Sequence, residues 1–272
     1  MNKDAKQFWD DRSKFGQLAG TNDLIAKQIE MKAISSYIQG GTDVLDVGCG
    51  NGMTALYLAQ NKRVHVDGID YSEGMVLSAN KLAGEMEYTG TLKGSVSFWQ
   101  DDINLMKPLV KKYDVIYTER MIVNLLTWGE QRKAIKLIFS MLKHGGIYVM
   151  CENSHNGLQE INHARLSIGL QPIVAPWHNR YLIDDEILSI EYPGISLEDI
   201  NYYSSTYYFI SRIINAWDAK QQGNSEPDYN SPCNRLALEL PPMGNFGQGR
   251  IWIWRKKMCD KNEMEDVFGW DE

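Results

Sequence analysis

The sequence predicts an α/β fold: a doubly wound, mostly parallel sheet of seven strands with helices on both faces. Short apolar runs typical of buried strands alternate with segments of helical periodicity between residues 44 and 151. A glycine-rich turn follows the first of these runs, at residues 48–52. Because strands and helices alternate, we expect the strands to be parallel and joined by right-handed crossovers.

One well-defined helix is predicted before the first strand. Thr21, Asn22 or Asp23 can cap it, and it continues to about residue 38 because apolar side chains recur on one of its faces. The pair Gly40-Gly41 then ends it.

Five strands and three helices are predicted in the next part of the chain. Ser72 can cap the second of these helices, and Gly145-Gly146 stops the third. The predicted strands are 44–47, 64–69, 96–100, 113–118 and 147–151, and the predicted helices are 53–60, 73–83 and 131–142.

The pattern loosens after residue 152. Helical spacing marks residues 158–168, and a short helix is predicted at 184–190. Strands are predicted at 201–211 and 250–255, where β-branched and aromatic residues are frequent. These two strands complete the predicted seven.

Composition and charge weigh against several classes of protein. The net charge of −7 argues against a dominant nucleic-acid-binding surface. No apolar run approaches the roughly 18 residues of a membrane span, and the N-terminus lacks the apolar core of a secretory signal. Cys49, Cys151, Cys233 and Cys259 form no CxxC pair, so neither a zinc site nor a disulfide framework is predicted. We expect a cytoplasmic protein without a metal site.

The turn at residues 48–52 indicates a nucleotide-shaped ligand, because glycine lets a backbone approach a ligand closely with positive φ. Asp70 ends the second predicted strand about 20 residues later, where a carboxylate accepts hydrogen bonds from ribose hydroxyls. A hydride-transfer enzyme would prefer the spacing G-x-G-x-x-G, which is absent. Asp46, just before the glycines, suits a ligand with a cationic amino-acid end, and S-adenosylmethionine is such a ligand.

Residues 44–52, Val-Leu-Asp-Val-Gly-Cys-Gly-Asn-Gly, resemble the glycine motif of class I S-adenosylmethionine-dependent methyltransferases. The resemblance continues at 68–75, at 101–103 and over 113–152, so it spans roughly residues 40–153. It implies a Rossmann-like methyltransferase fold (EC 2.1.1.-), with S-adenosyl-L-methionine as methyl donor and S-adenosyl-L-homocysteine as product.

The same resemblance implies which residues would hold the cofactor. Gly48 and Gly50 would line its methionine moiety, Asp70 would hold the ribose, and Asp102 with Ile103 would meet the adenine. The full implied set is Asp46, Gly48, Cys49, Gly50, Asp70, Tyr71, Met75, Asp101, Asp102, Ile103 and Glu119.

The methyl acceptor is expected beyond the carboxyl ends of the strands. No Asn/Asp-Pro-Pro-Tyr/Phe motif of amino-group methylation follows the fourth strand, where Glu119-Arg120 stands instead. The candidate catalytic residues are His178, His155, Glu119 and Arg120. The candidate acceptor-binding residues are Arg120, Asn124, Asn153, Arg165, Trp177, Asn179, Arg180 and Tyr181. Each of these histidines and arginines is also a candidate for a purely structural role.

A second resemblance covers most of the chain and concerns methyltransferases encoded among bacterial surface-polysaccharide genes. The residues that carry it include Glu119-Arg120, Asn124-Leu125, Trp177-His178-Asn179, Asn234-Arg235-Leu236 and Gly247-Gln248-Gly249-Arg250. It implies oxygen methylation of a sugar, a nucleotide-linked sugar or a phosphate-type group in capsule or O-antigen synthesis. A protein, RNA or other metabolite acceptor, and a cofactor-binding protein without catalysis, remain as alternatives.

The whole chain, 1–272, is expected to form a single domain. Residues 1–40 would form an N-terminal helical lid, 41–153 the cofactor-binding core, and 154–272 the acceptor-binding insertion and the last strands. We expect a monomer or homodimer that acts on a small-molecule acceptor and has no nucleic-acid partner.

Overall fold

The computed structural model describes residues 3–224 and 226–258. Its strands are β1 (Asp43–Val47), β2 (His65–Asp70), β3 (Ser95–Gln100), β4 (Tyr113–Glu119), β5 (Leu142–Asn153), β6 (Ile195–Asn201) and β7 (Gly249–Lys256). Its α-helices are α1 (Lys3–Arg12), α2 (Leu24–Ser36), α3 (Met53–Asn61), α4 (Glu73–Tyr88), α5 (Trp128–Ser140), α6 (His155–Ser167), α7 (Asp184–Leu188), α8 (Ser205–Phe209), α9 (Ala216–Gln221) and α10 (Pro232–Leu236). Short 3₁₀ segments lie at Ser13–Leu18 and Ile122–Asn124.

The strands form one seven-stranded sheet in the order β3-β2-β1-β4-β5-β7-β6. Neighbouring strands from β3 to β5 are parallel, whereas β7 pairs antiparallel with both β5 and β6. This order confirms the predicted doubly wound, mostly parallel fold. The strand order reverses between β1 and β4, and in open α/β sheets a crevice forms at that point beyond the carboxyl ends of the strands.

Apolar side chains cover both faces of the sheet, because consecutive residues of a strand point to opposite faces. Val44 belongs to a buried cluster with Ile34 of α2 and Leu56 of α3. The next residue, Leu45, belongs to the cluster on the other face, with Ile135 of α5. Each fully buried aliphatic side chain of this kind contributes about 1.5–3 kcal/mol to folding. The sheet that carries the crevice is therefore packed against apolar cores on both of its faces.

Side-chain caps fix where several helices begin. Asp23 accepts a hydrogen bond from the backbone of α2, and Ser72 does the same for α4, which confirms both predicted caps. Thr127 caps α5 as part of a capping box, and Ser154 caps α6. A cap of this kind contributes about 1 kcal/mol.

The predicted strand at 201–211 is wrong. Only its first residue belongs to a strand, the end of β6, and the chain is helical from Ser205. A π-helical turn, Ile210–Asn215, joins α8 to α9. The aromatic and β-branched residues that suggested a strand lie instead in a helix that is buried on more than one face. Tyr207 and Tyr208, for example, are 1% and 4% exposed. Periodicity does not separate a buried strand from a buried helix of this length.

In the described part of the chain, no helix combines the length and the apolar character that crossing a membrane requires. Met1, Asn2 and Cys259, on which the expectations about a secretory signal and disulfides partly rest, lie outside the described residues.

Candidate active site

A cavity of about 310 Å³ opens beyond the carboxyl ends of β1, β2 and β4. Its floor is made by the residues that directly follow these strands. Its roof comes from the N-terminal segment, and its far wall comes from the π-helical turn and the loop before β7. The cavity therefore lies beyond the carboxyl ends of the strands, where the sequence predicts the ligands, and at the reversal of strand order.

The glycine turn approaches both the cavity and the loop after β4. Gly48 and Gly50 have φ of 82° and 53°. The backbone N–H groups of Gly48 and Cys49 both donate to the Ile69 carbonyl, at 2.8 and 2.9 Å. A Cβ on Gly48 would lie 2.2 Å from Cγ of Met121, whereas a Cβ on Gly50 would meet nothing within 4 Å. Gly50 thus leaves room on the cavity side of the turn.

Asp70 ties the end of β2 to the two loops around it. Its carboxylate accepts hydrogen bonds from the backbone N–H of Gly50 at 2.9 Å and of Ser72 at 2.8 Å. Burial raises the pKa of Asp70 to about 6, and these two hydrogen bonds oppose that rise. Each oxygen keeps a further lone pair, so the side chain is placed to accept hydrogen bonds from a ligand in the cavity.

Asp46 lies beneath the glycine turn and is 2% exposed. It accepts a hydrogen bond of 2.6 Å from the Tyr117 hydroxyl. Burial raises the pKa of Asp46 to about 8. The carboxyl that is held ionised at this end of the cavity is therefore a different one, that of Glu119.

Glu119, the last residue of β4, forms a buried ion pair with Lys27 of α2. The Lys27 ammonium lies 2.6 and 2.7 Å from the two carboxylate oxygens, and the Thr54 hydroxyl donates to one of them at 2.5 Å. Burial alone would raise the pKa of Glu119, but Lys27 and Arg120 outweigh it and hold that pKa at about 2. One positive and one negative group therefore stand side by side beside the glycine turn.

Arg120 is the only non-glycine residue with positive φ, 53°, among the described residues. Its guanidinium lies 3.2 Å from the Glu30 carboxylate. Glu152 of β5 supports the following loop, because its carboxylate accepts hydrogen bonds from the backbone N–H groups of Met121, Ile122 and Val123, at 3.0–3.3 Å. Non-glycine residues held at positive φ cluster at functional sites.

The N-terminal segment covers the cavity. Asp10 of α1 accepts a 2.6 Å hydrogen bond from the Ser72 hydroxyl, and Asn51 of the glycine turn donates to the Gly16 carbonyl at 2.7 Å. Trp9 lines the cavity and packs edge-on against His178, with ring centroids 5.4 Å apart. Burial, followed by the Arg12 charge, lowers the pKa of His178.

The far wall is anchored by Asp23. Its carboxylate accepts hydrogen bonds from the Tyr207 hydroxyl at 2.6 Å and from the Arg212 guanidinium at 2.9 Å, in addition to its capping bond. Arg212 also lies over the Tyr229 ring, 4.8 Å from its centroid. Arg212 and its neighbour Tyr208 line the cavity from the π-helical turn and the end of α8. A π turn inside a helix often marks a functional site.

Most of the predicted site residues meet in this one cavity. Those that line it are Asp46, Gly48, Cys49, Gly50, Asp70, Tyr71, Met75, Asp101, Asp102, Ile103, Glu119, Arg120, Asn124, Asn153, His178, Asn179 and Tyr181.

Four predicted residues do not line the cavity. His155 is exposed at the start of α6, and Trp177 is 59% exposed. Arg165 donates to the carbonyls of Gln171 and Arg212, which gives it a structural role. Arg180 pairs with Glu186 at 2.7 Å and also donates to Gln131.

Other lining residues were not among the predicted site residues, including Lys27, Glu30, Tyr208, Arg212 and Gln248. Gln248 does carry a signal in the sequence, because the run Gly247–Arg250 is part of the second resemblance. Lys27 and Glu30 looked like the polar face of an ordinary amphipathic helix, and their approach to β4 depends on packing across the fold.

No group of three or more His, Cys, Asp or Glu side chains that could hold a metal ion is found within residues 3–224 and 226–258.

A protein-family model described as "Methyltransferase domain" matches residues 38–171. Residues 38–171, just under half of the chain, are thus similar to methyltransferase domains. The crystal structure of magnesium protoporphyrin IX methyltransferase from Synechocystis PCC 6803 with bound SAM has this fold: the TM-score is 0.52 at 16% identity, over 94% of this chain and 100% of that one. The domain's cofactor is S-adenosylmethionine, and the cavity lies at the edge of the sheet where the sequence predicted it.

Two curated relatives match parts of the methyltransferase domain. Phosphoethanolamine N-methyltransferase of Triticum aestivum is 33% identical over 109 residues, which are 40% of this chain and 20% of that protein. Ubiquinone biosynthesis O-methyltransferase of Coxiella burnetii is 25% identical over 142 residues, 52% of this chain and 55% of that protein. The chain thus spans only a fifth to about half the length of these relatives.

Proposed function

We propose that this protein transfers the methyl group of S-adenosylmethionine to an oxygen of a small molecule. One observation carries the proposal: a single cavity joins the glycine turn and Asp70 to a polar far wall that contains Tyr208 and Arg212. A donor on the first side and an acceptor on the second would share one space that excludes water. Holding the two together supplies much of the rate of a displacement reaction.

The residues present fit the cofactor at both of its ends. Asp70 would accept hydrogen bonds from ribose hydroxyls, and Asp102 with Ile103 would meet the adenine. At the other end, the Lys27–Glu119 pair offers a cation for the carboxylate and an anion for the ammonium of the methionine moiety. The cofactor supplies an activated methyl group, and the protein aligns it.

The far side of the cavity favours a hydroxyl-rich acceptor. Buried acceptor atoms without a hydrogen-bond partner among the described residues include Oδ1 of Asn124, Oδ1 of Asn179 and Oε1 of Gln248. Nδ2 of Asn124 donates to the Arg120 carbonyl at 2.7 Å, so its oxygen faces away from that bond. Amide oxygens that lack partners are satisfied by hydroxyl donors, and leaving them unsatisfied is costly. A sugar ring supplies several such donors.

The acceptor class that we propose is therefore a sugar, a nucleotide-linked sugar or a phosphate-type group, as in surface polysaccharide synthesis. A protonated amine would instead call for an unpaired carboxylate on the far wall. Asp23, the carboxylate of that wall, is already engaged by Tyr207, Arg212 and a backbone N–H. Glu30, a further carboxyl that lines the cavity, is paired with the Arg120 guanidinium. The match to an N-methyltransferase keeps an amine acceptor as the second candidate.

The test is transfer of labelled methyl from S-adenosylmethionine to a panel of nucleotide sugars, glycans, phosphoethanolamine, RNA and protein. We expect label in the nucleotide sugars or glycans, in a product stable to mild base as an ether is. Label only in phosphoethanolamine would favour the amine acceptor. Label only in RNA or protein would contradict a small-molecule acceptor altogether.

A further inference from the structure

Glu30 of α2 is a carboxyl group in the cavity wall that the cofactor does not require. It is 3% exposed and lines the cavity. Its Oε2 lies 3.2 Å from Nη2 of Arg120 but receives no well-aligned hydrogen bond from any described residue. A buried carboxylate oxygen without a hydrogen-bond donor is costly, so such an atom in a cavity is a place where a ligand donor is expected.

The position of Glu30 lies between the two halves of the cavity. On one side stands Glu119, at the end of β4, close enough that its charge raises the pKa of Glu30. On the other side are the hydroxyls of Tyr203 and Tyr208, close enough that the Glu30 charge adds to the effect of burial in raising the pKa of both. Glu30 therefore faces the junction where a methyl donor and its acceptor would meet.

The charges around Glu30 separate its role from that of Glu119. Glu119 already binds Lys27 and Thr54 and is ionised. Burial above all, and the Glu119 charge, raise the pKa of Glu30 to about 8, while Arg120 and Lys27 oppose the rise. Of the two adjacent carboxyls, Glu30 is thus the one that exchanges a proton near neutral pH, as efficient general bases do.

We propose that Glu30 is the general base of methyl transfer and that Arg120 holds the acceptor oxygen beside it. The inference rests on the proposed function. In the step, the acceptor hydroxyl gives its proton to the Glu30 carboxylate. The acceptor oxygen bonds to the methyl carbon as the carbon–sulfur bond breaks, and the electron pair of that bond stays on sulfur. The products are a methyl ether, a neutral thioether and a protonated Glu30.

Arg120 suits its part in this step. Its backbone has positive φ, and its guanidinium lies 3.2 Å from the Glu30 carboxylate. Its Nε is buried and has no hydrogen-bond partner among the described residues, so a donor remains for the acceptor oxygen. A fixed cation beside a developing oxyanion stabilises the transition state more than the ground state.

The pH dependence distinguishes Glu30 from His178. The groups that face Glu30 are Arg120, Glu119, Lys27, Cys151, Tyr203 and Tyr208. Its pKa of about 8 reflects burial first, then the charges of Arg120, Glu119 and Lys27. A general base must be deprotonated before it can accept a proton. With Glu30 as the base, the rate therefore rises with pH through about 8. With His178, whose pKa is below its usual 6.5, the rise would end below pH 6.5.

The experiment compares wild type, Glu30→Gln, Glu30→Asp and His178→Gln, using kcat against pH and the affinity for S-adenosylhomocysteine. We expect Glu30→Gln to lose about 100-fold in kcat together with the rise near pH 8, and to bind S-adenosylhomocysteine within about threefold of wild type. Glu30→Asp should keep the rise at reduced rate. If Glu30 had only a structural role, Glu30→Gln would change KM and the affinity for S-adenosylhomocysteine but leave the pH profile of kcat unchanged.

Two results would overturn the inference: a pH rise that persists in Glu30→Gln, or one that disappears in His178→Gln instead. Absence of methyl transfer by the wild type to every acceptor tested would reject the proposed function itself, which is a different outcome. Stability gives a readout that needs no turnover. Because Glu30 must ionise in a buried place as pH rises, Glu30→Gln should lose less stability than wild type between pH 6.5 and 9.

Discussion

At the scale of single residues, Asp70 is a side chain that serves both the fold and the ligand. Its carboxylate already binds two backbone N–H groups, so the loops on either side are drawn to it. Its side chain is therefore already fixed before a ligand binds, so binding costs no further conformational entropy at this residue. Preorganisation of this kind is a main source of affinity in small-molecule sites.

Asp70→Asn should weaken S-adenosylhomocysteine binding by about 1–3 kcal/mol, since the amide replaces an acceptor with a donor. Calorimetric titration with S-adenosylhomocysteine measures this loss of affinity. Asp67→Asn is the matched control, because Asp67 is on the same strand and 6% exposed but binds Tyr113 and Lys111 away from the cavity. Equal affinity of wild type and Asp70→Asn would remove Asp70 from the site.

A methyl group on Gly48 should do more damage than one on Gly41. Both glycines have similar positive φ, 82° and 84°, so alanine strains both backbones by about 1–2 kcal/mol. Only at Gly48 does the added Cβ meet a neighbour, Met121 at 2.2 Å. Chemical denaturation should therefore show a larger loss for Gly48→Ala, and only that variant should bind the cofactor product more weakly. Equal losses in the two variants would mean that Met121 yields without cost.

At the scale of elements, helix α1 is the part of the site that is held mainly by polar contacts at its edges. Asp10 accepts a hydrogen bond from the Ser72 hydroxyl at the N-terminus of α4. The Tyr71 hydroxyl donates to the Ala5 carbonyl of α1. The aromatic pair Phe8 and Trp9 then rests on His178. Local opening is easiest where apolar burial is small, so this helix is placed to act as the cover of the cavity.

Trp9→Ala should speed release of S-adenosylhomocysteine and lower its affinity by about tenfold, because a large apolar cover is lost. Stopped-flow displacement measures the release rate. Phe15→Ala is the control in the same segment, since Phe15 is 61% exposed and does not line the cavity. Unchanged release in Trp9→Ala would show that α1 does not cover the ligand.

The elements also show what the sequence can and cannot predict. Strands β1, β2, β4 and β7 were placed within about two residues, because each is a short apolar or alternating run with clear breaks. The helix that begins at Ser205 was not predicted, because its local sequence pattern suits a strand as well as a helix. Its side chains, Tyr208 and Arg212, therefore went unrecognised as site residues.

Within the site, the cofactor side could be predicted and the acceptor side only in part. Gly48 and Asp70 follow from local motifs whose chemistry is fixed by backbone geometry. Glu30 meets Arg120 across a separation of ninety positions in the chain, and no local pattern signals such a pairing. Arg165 and Arg180, by contrast, looked functional and proved to be occupied by structural partners.

At the scale of the whole molecule, burial of several carboxyl groups makes stability depend on pH. Burial raises the pKa of Asp46 to about 8, of Glu152 to about 7 and of Asp70 to about 6. In the unfolded chain these groups have pKa values of about 4. The folded state therefore binds more protons than the unfolded state between these limits, and stability falls as pH rises.

The protein should accordingly be more stable at pH 6 than at pH 8.5. Thermal unfolding at constant ionic strength in the two buffers measures the difference. Asp46→Asn should reduce the difference, since it removes one of the groups that must ionise while buried. A melting temperature that stays constant or rises between pH 6 and pH 8.5 would show that these carboxyls are ionised at little cost.

The central claim is that the cavity beside the glycine turn binds S-adenosylmethionine and its product. Isothermal titration of the protein with S-adenosylhomocysteine, followed by competition with S-adenosylmethionine and with NAD, tests it most directly. We predict saturable 1:1 binding with a dissociation constant of roughly micromolar order, displaced by S-adenosylmethionine and unaffected by NAD. No binding at millimolar S-adenosylhomocysteine, or displacement by NAD, would contradict the claim.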